Sequence, residues 1–218
     1  MIRAQSVHHF LNKKVAGLLF KDEFQEAFGN PETTGTWFVY GNSGSGKTSF
    51  LLQLAKHFDE ELNMRVAFQS MEEDGRDSLR KAILRVGWRE KGSNIQMLPA
   101  CSPADFSEWL DGHGKTRVVI IDTIQYWIIN HQFTIEQYFE MRKKHSSKLF
   151  IFNSHINGND PDKSAAVQIM RDADLKIFVQ GFRAISKGRS FGPLGYYVIW
   201  PDKERVIWLS EKQQILEQ

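Results

Sequence analysis

Eight consecutive residues, Gly41-Asn42-Ser43-Gly44-Ser45-Gly46-Lys47-Thr48, place three glycines, a lysine and a hydroxyl at the spacing of a phosphate-binding loop. Glycines let successive backbone N–H groups converge on phosphate oxygens. Lys47 brings a point charge to the β and γ phosphates, and Thr48 offers its hydroxyl to Mg²⁺. Ser49 follows directly, at the start of a helical pattern whose positive N-terminal end adds to the site. A chain of this length shows the eight-residue pattern by chance in roughly 1% of cases, and still fewer would set it between a strand and a helix.

Carboxylates come next. Asp122 ends the apolar run Arg117-Val118-Val119-Ile120-Ile121, the position from which an acid orients Mg²⁺ through a water of its shell. Thr123 follows it, so the chain lacks the pair of adjacent acids that puts metal ligand and general base on one strand. Another strand must supply the base. Glu72, Glu73 and Asp74 follow Arg65-Val66-Ala67-Phe68-Gln69-Ser70, and Glu72 is the residue expected to take the proton of the water attacking the γ-phosphate.

These residues carry a resemblance. Phe68-Gln69-Ser70-Met71-Glu72 resembles the strand-plus-glutamate motif of the RecA-like ATPases, which include DnaB-type helicases and RadA-type recombination factors. The resemblance implies that Glu72 is the catalytic base. Phe152-Asn153-Ser154-His155 is similar to the family's next central strand, whose polar tip senses the γ-phosphate, a role that falls on Ser154 and His155. Ser186-Lys187-Gly188-Arg189-Ser190-Phe191-Gly192 resembles the Lys-x-Arg-Phe-Gly motif of the RadA-type branch, with Ser190 inserted. There the cations reach a neighbouring subunit's nucleotide, so Lys187 and Arg189 become trans-acting fingers of a homo-oligomer. Asp172-Ala173-Asp174 resembles the family's entry into the following strand, and the likeness spans about residues 35–209. It implies ATP and Mg²⁺ as ligands and DNA, single-stranded by preference, as partner, as in compact phage or prophage ATPases.

Positioning these groups requires strands at Trp37–Tyr40, Arg65–Ser70, Ile95–Leu98, Arg117–Asp122, Lys148–Asn153 and Leu175–Val179. Helical spacing appears over Lys21–Phe28, Ser49–Phe58, Asp77–Val86 and Pro103–Leu110. The alternation predicts an α/β fold whose mostly parallel sheet is flanked by helices and binds ligands beyond the strands' carboxyl ends, and the resemblance implies the RecA-like P-loop form of it. Tyr196–Trp200 and Arg205–Leu209 flank the turn-forming Pro201-Asp202-Lys203-Glu204 and predict a closing antiparallel hairpin. Residues 1–34 read as a lead-in packing on the ATPase domain at 35–218, and residues 156–164 as a loop of the composition that touches DNA in such folds. From Leu175 to Pro201 the charges are Lys176, Arg183, Lys187 and Arg189 with no acid, which suits an anionic partner.

Composition narrows little. The chain has 218 residues, 41% of them hydrophobic, and its 28 basic and 26 acidic residues leave a net charge of +2 that neither demands nor excludes nucleic acid. One cysteine, Cys101, forms no internal disulfide and suits a reducing, cytoplasmic setting. No apolar run reaches the ~18 residues of a membrane span. A GTPase is disfavoured by the missing Asn-Lys-x-Asp motif, and an ABC-type ATPase by the missing Leu-Ser-Gly-Gly signature. Two other function classes remain open. One is a P-loop small-molecule kinase with Arg183–Arg189 as lid. The other is a nucleotide-gated assembly module using Phe10, Phe20 and Phe24 as contacts.

Overall fold

The computed structural model describes residues 4–72, 75–188 and 192–216, with side chains up to residue 209. After a short helix α1 (Val7–Leu11) and helix α2 (Asp22–Phe28), strand β1 (Gly35–Gly41) leads into α3 (Lys47–Glu60). Then come β2 (Arg65–Ser70), α4 (Asp77–Val86), β3 (Ile95–Leu98), α5 (Pro103–Gly112) and β4 (Thr116–Asp122). Helices α6 (Gln125–Asn130) and α7 (Ile135–Lys144) precede β5 (Leu149–Asn157), β6 (Asp160–Pro161) and α8 (Ser164–Asp172). The chain closes with β7 (Leu175–Gln180), β8 (Arg183–Ser186), β9 (Tyr196–Val198) and α9 (Pro201–Leu216).

The strand order is β3-β2-β4-β5-β1-β7-β8-β9, with β6 folded back on β5. Every pairing from β3 to β7 is parallel, and β8 and β9 add antiparallel strands at one edge. Parallel neighbours need crossovers, and the helices that make them cover both faces, so the central strands are apolar on both sides. On β1, Trp37 and Val39 face the layer of α2, α3 and α4, while Phe38 faces α5 to α8. β5 alternates in the same way, with Leu149 and Ile151 against Phe150 and Phe152.

The lead-in divides. Phe20, Phe24 and Phe28 are buried, and Phe24 stacks on His57 of α3 and Tyr197 of β9 with ring centroids 4.3 and 4.4 Å apart. Of the three aromatics offered as contacts, only Phe10 stays in solvent, at 67% exposure.

The closing antiparallel strands are present: β9 lies within the expected Tyr196–Trp200, but its partner is β8 (Arg183–Ser186) and not Arg205–Leu209. Pro201–Glu204 starts a helix instead of turning a hairpin, and Arg205–Leu209 continues it. Proline is favoured in the first helical turn, where its missing N–H costs nothing, and Asp202 and Glu204 suit the positive end of the helix. Residues 156–164 are likewise not a plain loop: β5 extends to Asn157 and pairs back through Asp160–Pro161 before α8 begins. Among the described residues no helix is long and apolar enough to cross a membrane.

Candidate active site

The phosphate loop leaves β1 at Gly41 and enters α3 at Lys47. Gly46 has φ of 106°, a conformation that costs a side chain dearly, and a Cβ there would lie 2.9 Å from the Phe182 ring. Lys47 is 5% exposed and donates to the Gly41 and Asn42 carbonyls at 2.9 and 2.8 Å, so its ammonium sits inside the loop. Burial lowers its pKa to about 8, against the pull of Asp122 and Glu72 in the other direction.

Three parallel strands bring the acids and amides to this end of the sheet. β2 and β4 are in register with Ser70 opposite Asp122, which sets Glu72 and Thr123 side by side just beyond. Asp122 is 2% exposed and accepts hydrogen bonds from the Thr48 hydroxyl and the Asn153 amide. Burial pushes its carboxyl above the ordinary range, and the two donors oppose that shift. Thr123 holds φ of 78°, strained for a β-branched residue, and turns its hydroxyl to donate to Glu72 at 3.5 Å. His155 Nε2 lies 3.3 Å from the same Glu72 oxygen.

Expected residues therefore converge in part. Lys47, Thr48, Ser49, Glu72 and His155 line one cleft of about 280 Å³ beside the loop. Asp122 stands beneath it, bonded to Thr48. Ser154 is fully buried and faces away, accepting from Gln125 Nε2 at 2.6 Å and donating to the His155 carbonyl. Gln125 also donates to the His155 and Asp162 carbonyls, tying the end of β5 to the segment after β6.

Lys187 goes elsewhere. Its backbone N–H bonds to Lys176 O near the start of β7, at the end of the parallel strands opposite the phosphate loop. There it borders a hollow of about 450 Å³ with Arg171, Asp172 and Asp174. Arg189, Glu73 and Asp74 lie outside the described residues. The expected basic stretch is also less free than its sequence suggests, since Arg183 pairs with Glu204 and stacks on Trp208 at 4.1 Å.

Other residues were not anticipated. Asn153, Thr123, Arg85, Phe182, Trp200 and Lys203 also line the cleft. The cation of Lys203 lies 4.1 Å from the Trp200 ring centre and 5.2 Å from that of Phe182. Nothing in the spacing marks them, because α4, the β7–β8 turn and α9 each contribute one or two.

No cluster of three or more His, Cys, Asp or Glu side chains among the described residues could hold a metal by itself. Thr48 and Asp122 nevertheless fit Mg²⁺, which is held by one or two protein oxygens plus waters and substrate phosphates.

No protein-family model matches this chain, and no curated protein does. Among solved structures it is similar to a KaiC-like protein from the hyperthermophilic archaeon Pyrococcus horikoshii OT3. The two share 21% identity with a TM-score of 0.58, over 80% of this chain and 94% of that one. The chain has the RecA-like fold. That likeness is one of fold, and the chemistry rests on the cleft's own residues.

Proposed function

We propose that this protein is a Mg²⁺-dependent ATPase of the RecA-like class that works on DNA as a homo-oligomer. The observation that carries the hydrolytic part is the convergence of Lys47, Thr48, Asp122 and Glu72 on one cleft at the carboxyl ends of β1, β2 and β4. Loop amides and Lys47 take the β and γ phosphates. Glu72 accepts the proton of the attacking water, with Thr123 and His155 fixing its carboxylate. Thr48 and, through a water, Asp122 would hold Mg²⁺, which when bound would supply charge neutralisation at the phosphates. Phe182 and Trp200, which also line the cleft, offer apolar faces to the nucleoside end.

Lys187 stands about 15 Å of strand from its own phosphate loop, so this reading gives it, with Arg189, to a neighbouring copy's cleft. The DNA and oligomer parts draw on the resemblance of residues 68–72, 152–155 and 186–192 to DnaB- and RadA-type ATPases, and so does a phage or prophage setting.

The test is phosphate release from ATP with and without single-stranded DNA, across a range of protein concentrations. Specific activity should rise with both, Lys47→Ala should abolish nucleotide binding, and Arg189→Ala should stop turnover while leaving binding in place. Turnover indifferent to DNA, to concentration and to Arg189→Ala would remove the DNA and oligomer parts. Label transfer to an added nucleoside instead of water would replace hydrolase by kinase.

A further inference from the structure

Asn153 sits where β5 passes the cleft, 1% exposed. The Nδ2 end of its amide donates to Asp122 Oδ1, which gives the buried carboxyl a donor on that side. The other end, Oδ1, is buried without a hydrogen-bond partner, on a residue that lines the cleft with Lys47, Thr48 and Thr123. A buried carbonyl left unpaired costs about 1–3 kcal/mol, and native proteins leave few of them.

We infer that Asn153 is a positioning residue for the hydrated cation of the nucleotide site, its Oδ1 accepting a hydrogen bond from a water of the cation's shell. The inference rests on the proposed Mg²⁺-nucleotide reading. Mg²⁺ dehydrates reluctantly and keeps several waters, each with protons that need acceptors. Asp122 supplies one acceptor, and Asn153 holds a second beside it. An amide suits this place better than an acid would. A second carboxylate against Asp122 would set two like charges side by side and favour protonating one of them. The neutral amide instead donates to Asp122 with one end and accepts from water with the other.

The test is binding of a fluorescent, non-hydrolysable ATP analogue, in EDTA and across a Mg²⁺ titration, in the wild type, Asn153→Ala and Asn153→Leu. Mn²⁺ binding to the same complexes is followed by electron paramagnetic resonance. Affinity in EDTA should stay within about threefold of the wild type, while the cation concentration needed rises roughly 10- to 100-fold, the usual cost of losing an outer-shell partner. Thermal midpoints of the cation-free proteins check folding, and Asn153→Ser is read in the same way should the larger changes fail to fold.

Variants that respond to Mg²⁺ and Mn²⁺ as the wild type does overturn the inference alone. So does a loss of affinity already present in EDTA, which would place Asn153 in the support of the loop. A wild type that binds no nucleotide overturns this inference and the proposed function together.

Discussion

Glu72→Gln separates chemistry from structure more sharply than any other change at this site. The Glu72 side chain is 44% exposed, and its contacts with His155 at 3.3 Å and Thr123 at 3.5 Å are longer than a strong hydrogen bond. An ion pair of that kind contributes about 0–1 kcal/mol to folding, so the amide should leave the thermal midpoint nearly unchanged. Loss of a positioned general base costs about 10²- to 10⁴-fold in rate, equivalent to roughly 3–5 kcal/mol of barrier. The two effects differ enough to be told apart in one preparation. Single-turnover hydrolysis gives the rate, equilibrium binding of ATP gives the affinity, and a denaturant titration gives the stability. The expected pattern is a rate down at least 100-fold, affinity within a few-fold, and stability within about 1 kcal/mol. Turnover above a tenth of the wild-type rate would refute Glu72 as base. A rate that falls only in proportion to the folded fraction would refute it too.

Phe24→Ala tests the lead-in as part of the core: with Phe24 8% exposed and stacked on His57 and Tyr197, the loss should be about 3–5 kcal/mol by urea unfolding, and a loss under about 1 kcal/mol contradicts the packing. Burial lowers the His57 and His145 pKa values below the ordinary 6.5, so the unfolded chain takes up protons first as pH falls. Stability should be full above about pH 6.5 and decline below it, and His145→Gln should flatten that decline in thermal melts; an unchanged slope would discharge His145 from the effect. Trp200→Ala should weaken ATP binding roughly 2- to 10-fold, the worth of one aromatic contact, without changing competition by inorganic triphosphate. Equal loss for both ligands would put Trp200 at the phosphates and not at the nucleoside.

Much of the fold was legible because its signals are local. The strand, glycine loop and helix around Lys47 follow from consecutive residues, and the continuous apolar runs of β4 and β5 mark strands covered on both faces. α9 was misread because Val206, Ile207, Trp208 and Leu209 are consecutive, which looks like a strand, and not spaced at 3.6. Phe20 and Phe24 could not be assigned from sequence, since Phe20 is buried by Trp37, His57 and Phe58, and Phe24 by Tyr197 of β9 arriving far along the chain. At the site, Lys47, Thr48, Asp122 and Glu72 were readable as a motif and two strand ends. Asn153, Phe182 and Trp200 were not, because each acquires its meaning only from what the sheet sets beside it. Strand alternation also divides the pair Ser154 and His155, sending one inward to Gln125 and the other into the cleft.

The residue after Asp122 shows how closely sequence and geometry are tied. In this sheet β2 and β4 pair with Ser70 opposite Asp122, and just past that pair the Thr123 hydroxyl reaches the Glu72 carboxylate at 3.5 Å. An acid at 123 would bring a second negative charge within reach of Glu72, raising the pKa of the pair and weakening Glu72's hold on a water. Threonine gives the carboxylate a donor instead, at the expense of a left-handed backbone that costs about 1–3 kcal/mol elsewhere in proteins. The missing second acid and the strained threonine are therefore one feature: if Glu72 is the base, as proposed, the strand beside it offers that carboxylate a hydrogen-bond donor and not another charge.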